Sequence, residues 1–169
     1  FSVMAAVYLF PSAVFQKFFL PKVHRWAHQN RVKMRAVFYK GSWVMFGLGV
    51  VAALALWALA GWGVPFLFGG EYKSASFYIN ILAASSPAMF VAYSAGAYLV
   101  TQEHMKLKVK LMFFVAAMNL VLNFLFIPMY GALAAAVSTV LCQWTLATMY
   151  YCCTVRFVFG TGHDNGKSK

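Results

Sequence analysis

The stretch from Leu107 to Ala136 reads LKVKLMFFVAAMNLVLNFLFIPMYGALAAA. Basic residues lead into an apolar run of roughly membrane-spanning length, which closes at Ile127-Pro128 and turns through Tyr130-Gly131 into a second apolar run. The pattern predicts a helical hairpin across a bilayer. Lys106, Lys108 and Lys110 anchor its start among the headgroups. Pro128, with no N–H and a ring that clashes with the preceding turn, is expected to end the first helix, and Gly131 to supply the left-handed backbone of a tight turn. Asn119 and Asn123, four residues apart, share one helical face. An amide in hydrocarbon needs a partner, so that face is expected to meet protein or a wet cavity.

Working outward, the whole chain has the same character. Of its 169 residues 63% are hydrophobic and 10% charged, and the mean hydropathy is +0.71. A water-soluble domain has no use for so much apolar surface, so the expected fold is all-α, a polytopic membrane helix bundle. At roughly 20 residues per span the length holds about five transmembrane helices and no separate soluble domain. The expected bundle is 1–159, with spans at 1–19, 41–68, 77–100, 108–127 and 132–155, a basic connector at 21–40 and a polar tail at 160–169. The chain opens on Phe1 with neither the charged start nor the cleavage site of a signal peptide. It reads as beginning inside a span, the C-terminal piece of a longer protein.

The formal net charge of +11 is explained by where the cations fall. Lys17 to Lys40 holds seven, Lys106 to Lys110 three, and Arg156, Lys167 and Lys169 close the chain, leaving Lys73 alone. If the spans alternate in direction, the three basic segments share one side, which the positive-inside rule assigns to the cytoplasm. The basicity reads as topology rather than nucleic-acid binding, with membrane lipids as the nearest partners.

The remaining spans carry polar and kinked features. Pro11 interrupts the first, where Tyr8, Ser12 and Gln16 form a stripe at four-residue spacing with Lys17 beside it. That stripe either lines a polar cavity or lets Lys17 snorkel to the interface. The connector from Pro21 to Lys40 has no acidic residue and intersperses apolar side chains among cations, as a helix lying in the interface would. Gly47, Gly49, Gly61 and Gly63 mark the second span as closely packed. Phe68 to Ser76 is expected to be an exterior turn. In the third span Asn80, Pro87, Ser94 and Thr101 recur every seven residues, and Ser85-Ser86-Pro87 reads as a break in mid-helix. Ser138, Thr139, Gln143, Thr145 and Thr148 of the last span are available for hydrogen bonds between helices.

Catalytic chemistry has little to work with. No Asp or Glu lies inside a span, His24 and His28 have no supporting carboxylate, and Cys142, Cys152 and Cys153 lack metal-ligand spacing. No metal, no cofactor and no enzymatic activity are expected. Cys152 or Cys153, near the expected cytoplasmic end, is a place for palmitoylation, although apolar packing accounts for both.

The segment NLVLNFLFIPMYGALAAA, Asn119 to Ala136, resembles the hairpin of the polysaccharide biosynthesis proteins that flip lipid-linked oligosaccharides, O-antigen flippases among them. FLFGGEYKSAS is similar to an exterior loop of that family, Leu20-Pro21-Lys22 to the end of an earlier helix, and Pro87 to its mid-helix proline. Ala134 departs from the pattern, where the family more often has glycine. The resemblance implies a MATE-like transporter of the multidrug and oligosaccharidyl-lipid superfamily, with two six-helix lobes, of which this chain is the last five helices of the second. It implies an undecaprenyl pyrophosphate-linked repeat unit as substrate, a bacterial inner membrane, a cytoplasmic C-terminus, the missing N-terminal lobe and glycan-assembly enzymes as partners, and Tyr8, Ser12, Gln16 and Lys17 on the substrate path. Pro11, Pro87, Asn119, Asn123, Pro128 and Gly131 stand as packing or hinge residues. The alternatives are a multidrug or cation exporter of the same superfamily, and a glycan polymerase or acyltransferase.

Overall fold

A computed structural model describes residues 31–68, 73–100 and 104–158. Among the described residues there is no strand: the protein is an all-α membrane helix bundle of α1 (Arg31–Phe68), α2 (Lys73–Ala83), α3 (Ser86–Tyr98), α4 (Met105–Tyr130) and α5 (Ala132–Cys153). A π-helical turn, Thr154–Val158, extends α5. Arg35–Gly61, Met105–Tyr130 and Ala132–Val158 are each long and apolar enough to cross a bilayer. Ala75–Ala83 and Ser86–Tyr98, bent 42° at their junction, make a fourth span if taken together. The first expected span, 1–19, lies outside the described residues.

Several boundaries differ from the sequence reading. The helix of the second span begins at Arg31, so residues 31–40 of the expected connector continue it as helix. No proline or glycine intervenes before Gly41, and Phe38 is fully buried in the core, which draws this turn into the bundle. Helix α2 starts at Lys73, within the expected exterior turn. Pro128 does not end α4, which runs on to Tyr130. A proline in the last turn removes one i to i−4 bond but leaves the next intact, and Gly131 N–H donates to the Ile127 carbonyl at 2.8 Å. Gly131 then reverses the chain with φ 59° and ψ −137°, close to a conformation essentially reserved for glycine.

Packing follows the small residues. The main core joins α1, α3 and α5 through Phe38, Ala88, Ala92, Ala95, Tyr98, Leu99, Ala147 and Tyr150. Lipid tails are as apolar as leucine, so helices here gain little from burying large side chains and much from close backbone approach. The large side chains point the other way: Phe113, Leu120 and Phe124 on α4 are 77%, 71% and 80% exposed, as lipid-facing residues are. Val115 is the buried residue of α4, whose packing among the described residues is chiefly against α5.

The four spans alternate in direction. Phe38 near the start of α1 meets Tyr98 at the end of α3 and Tyr151 near the end of α5. Lys108 at the start of α4 lies beside Gly96 of α3. One end of the bundle therefore gathers Arg35, Lys40, Lys106, Lys108, Lys110 and Arg156, while α2 begins with Lys73 at the other.

Candidate functional site

Two features of the bundle bear on function: the broken span and the basic end. At the break, Pro87 lacks the N–H that would bond the Ala83 carbonyl, and a helix start tolerates proline where a helix interior does not. Two short turns bridge the gap, Ala84 N–H to the Ile81 carbonyl at 3.1 Å and Ser85 N–H to Leu82 at 2.9 Å. The Ser85 hydroxyl also donates to the Leu82 carbonyl at 2.6 Å. The Ala84 carbonyl, freed by the bend, accepts from the indole Nε1 of Trp144 on α5 at 3.1 Å. A backbone group released from a membrane helix needs such a replacement, and Trp144 provides it from a neighbouring span.

Helix α1 closes on the same place. A β-carbon at Gly49 would lie 2.6 Å from the Pro87 Cα and 3.0 Å from the Ser86 carbonyl oxygen, so only glycine fits. The hydroxyl of Ser86 and the Asn80 Oδ1 are buried and without a hydrogen-bond partner among the described residues. Unmade bonds of this kind carry a desolvation cost, which the Ser42 and Tyr150 hydroxyls, also buried and unpartnered among the described residues, share. Of the heptad-spaced residues, Pro87 and Ser94 are buried and Asn80 is half-buried. Thr101 lies outside the described residues.

The α4–α5 hairpin is tied differently. Asn123 donates to Asn119 Oδ1 at 2.9 Å and accepts from the Ser138 hydroxyl of α5 at 2.6 Å. The two amides thus form a short polar ladder whose lower rung crosses to the next helix. Thr139, Thr145 and Thr148 do not bond between helices; their hydroxyls return to the carbonyls of Ala135, Leu141 and Trp144 on their own helix. Gln143 makes no hydrogen bond among the described residues. Besides Ser138, polar ties between helices include Trp144 to Ala84, Ser76 to the Ala60 carbonyl at 2.7 Å, and Thr154 to the Ala95 carbonyl at 3.2 Å.

The basic end is built on aromatic rings. Phe38 stands edge-on to Tyr98 with centroids 5.1 Å apart and lies 5.2 Å from Tyr151, and Tyr39 meets Tyr151 at 6.4 Å. Arg35 places its guanidinium carbon 5.9 Å from the centre of the Tyr39 ring. Lys108 lays its aliphatic stem across Gly96, where an added β-carbon would be 3.6 Å from its Cε and 3.1 Å from the Tyr150 ring. Beside these rings a groove of about 210 Å³ opens between α1, α3 and α5, lined by Ser42, Trp43, Phe46, Val91 and Tyr151. All three acidic residues, Glu71, Glu103 and Asp164, lie outside the described residues, and among the described residues no carboxylate side chain accompanies these cations.

Tyr8, Pro11, Ser12, Gln16 and Lys17 also lie outside the described residues. Pro87 sits at the break, Asn119 and Asn123 on the α4–α5 ladder, Pro128 in the last turn of α4 and Gly131 in the reversal. Sequence reasoning overlooked Trp144, the pairing of Gly49 with Pro87, and the aromatic cluster. A signal for the last was present: Phe38-Tyr39, Tyr98 and Tyr150-Tyr151 each stand at a span end, where membrane proteins concentrate aromatics. Among the described residues no group of histidine, cysteine, aspartate or glutamate could hold a metal ion.

A family model described as MatE matches residues 24–125, more than half of the chain. No curated protein and no solved structure matches it.

Proposed function

We propose that this chain, which belongs to the MatE family of membrane transporters, serves to flip a lipid-linked oligosaccharide or polysaccharide repeat unit across a bacterial inner membrane. The observation that carries the reading is the gathering of Arg35, Lys40, Lys106, Lys108, Lys110 and Arg156 at one end of an otherwise apolar bundle. A pyrophosphate-linked glycan needs cations where it enters, and its polyprenyl tail can stay in the bilayer throughout. A cation exporter needs carboxylates in its cavity instead. The hairpin from Asn119 to Ala136, with the polysaccharide-flippase pattern described above, supports the same substrate class.

In this reading the basic end and the C-terminus face the cytoplasm, following the positive-inside rule. An N-terminal lobe of the same protein completes the cavity, with Tyr8, Ser12, Gln16 and Lys17 on the substrate path, and glycan-assembly enzymes supply the repeat unit. Substrate is an undecaprenyl pyrophosphate-linked repeat unit. The broken span, pinned by Gly49 and Trp144, is the element whose bend changes as the cavity opens to either side.

Deleting the full-length gene tests the proposal. Lipid-linked repeat units should accumulate on the cytoplasmic leaflet with their synthesis intact. Repeat units that reach the exterior unpolymerised or unmodified would place the protein after translocation and return the enzymatic reading. Normal glycan export with new sensitivity to cationic drugs would mark a drug exporter.

A further inference from the structure

We propose that the groove lined by Trp43, Phe46, Val91 and Tyr151 holds one acyl chain of an anionic phospholipid of the bilayer, whose phosphate rests on the Arg35 guanidinium. The groove runs along a single face of α1. Arg35, Tyr39, Ser42, Trp43 and Phe46 follow one another at helical spacing, and the eleven helical steps from Arg35 to Phe46 cover about 16 Å. A headgroup at Arg35 therefore leaves about that length of apolar wall for the chain beneath it.

The geometry of the mouth favours a phosphate. Arg35 is exposed, makes no ion pair among the described residues, and is held over the Tyr39 ring, which in turn packs against Tyr151 of the groove wall. The planar guanidinium keeps its donors free for a phosphate while its face lies on the ring. The charge around it selects the lipid. Lys40, Lys106, Lys110 and Arg156 share this end of the bundle, so the ammonium of a zwitterionic headgroup is repelled and a headgroup with net negative charge is drawn in. Trp43, 73% exposed, stands at the rim, in the position indole favours between headgroup and hydrocarbon. This site is separate from the transported substrate and does not depend on its identity.

The test is native mass spectrometry of the purified full-length protein with phosphatidylglycerol and phosphatidylcholine of equal chain length. Phosphatidylglycerol should be retained about five-fold better, the factor one basic contact with an anionic headgroup supplies. Arg35→Gln, a change at an exposed position, should remove most of that preference, while Lys110→Gln, on α4 and outside the groove lining, should lower it only slightly. Val91→Trp, which fills the groove without changing charge, should reduce retention of both lipids. Equal losses from Arg35→Gln and Lys110→Gln would overturn the site in favour of diffuse surface charge. Equal retention of the two lipids, or a polyprenyl-linked lipid holding the groove against added phosphatidylglycerol, would overturn it as well.

Discussion

Gly49 and Pro87 touch backbone to backbone: a β-carbon at Gly49 would lie 2.6 Å from the Pro87 Cα, closer than real β-carbons come to any such atom. The contact lies at the one sharp bend among the described spans, and it fixes how near α1 comes to the start of α3. A proline alone frees a carbonyl and permits a bend; the glycine opposite it lets a neighbouring helix fill the concave side.

Gly49→Ala should therefore destabilise the bundle by about 1–3 kcal/mol, the usual cost of forcing extra volume into a packed site. Gly47→Ala, on the same helix with nothing within 4 Å of the added carbon, should be neutral or slightly stabilising. Thermal unfolding of the two purified variants compares them directly, and equal midpoints would show that the contact relaxes without cost.

Trp144→Phe keeps the ring and removes the donor to the Ala84 carbonyl. Loss of that bond should cost about 0.6–1.7 kcal/mol, the range for hydrogen bonds between membrane helices. Hydrogen exchange should rise at the amides of residues 84–86, 88 and 89 and stay unchanged in α4. Uniform exchange across both regions would mean that the indole only packs.

In the α4–α5 hairpin the two asparagines should not be equivalent. Asn123 makes two side-chain bonds and Asn119 shares one of them, so Asn123→Leu should lower membrane abundance more than Asn119→Leu. A double-mutant cycle of Asn123→Leu with Ser138→Ala isolates the interhelical bond, expected at about 0.6–1.7 kcal/mol. A coupling of zero would show that the bond does not contribute to stability.

Gly131→Ala should cost about 1 kcal/mol or more, because φ 59° with ψ −137° is strained for any residue with a β-carbon, although the space around it is open. Gly131→Asn should be no better than alanine, since ψ here lies far from the left-handed helical well that asparagine tolerates. Abundance of the two variants in membranes provides the comparison.

Lys17→Ala in the full-length protein should impair glycan export more than membrane abundance if Lys17 lies on the substrate path. Equal loss of both would make it an interfacial anchor.

The amino-acid sequence by itself determined that the protein is a bundle of membrane helices, because a bilayer admits few backbone solutions and hydropathy reports them directly. The spacing of Asn119 and Asn123 gave a shared face, and Ser85-Ser86-Pro87 gave a place for a break, since both are local properties of one helix. Tertiary structure decided which partner each feature meets. That Trp144 bonds Ala84, that Gly49 faces Pro87, and that Thr139, Thr145 and Thr148 bond their own helix are matters of how spans distant in sequence are rotated and how closely they approach. A hydrophobic pattern sets that poorly in a membrane, where every face of a span is apolar and close packing, rather than burial from water, selects the neighbour. The same reason hid the groove beneath Arg35: its walls come from three helices, and no single stretch of sequence contains it.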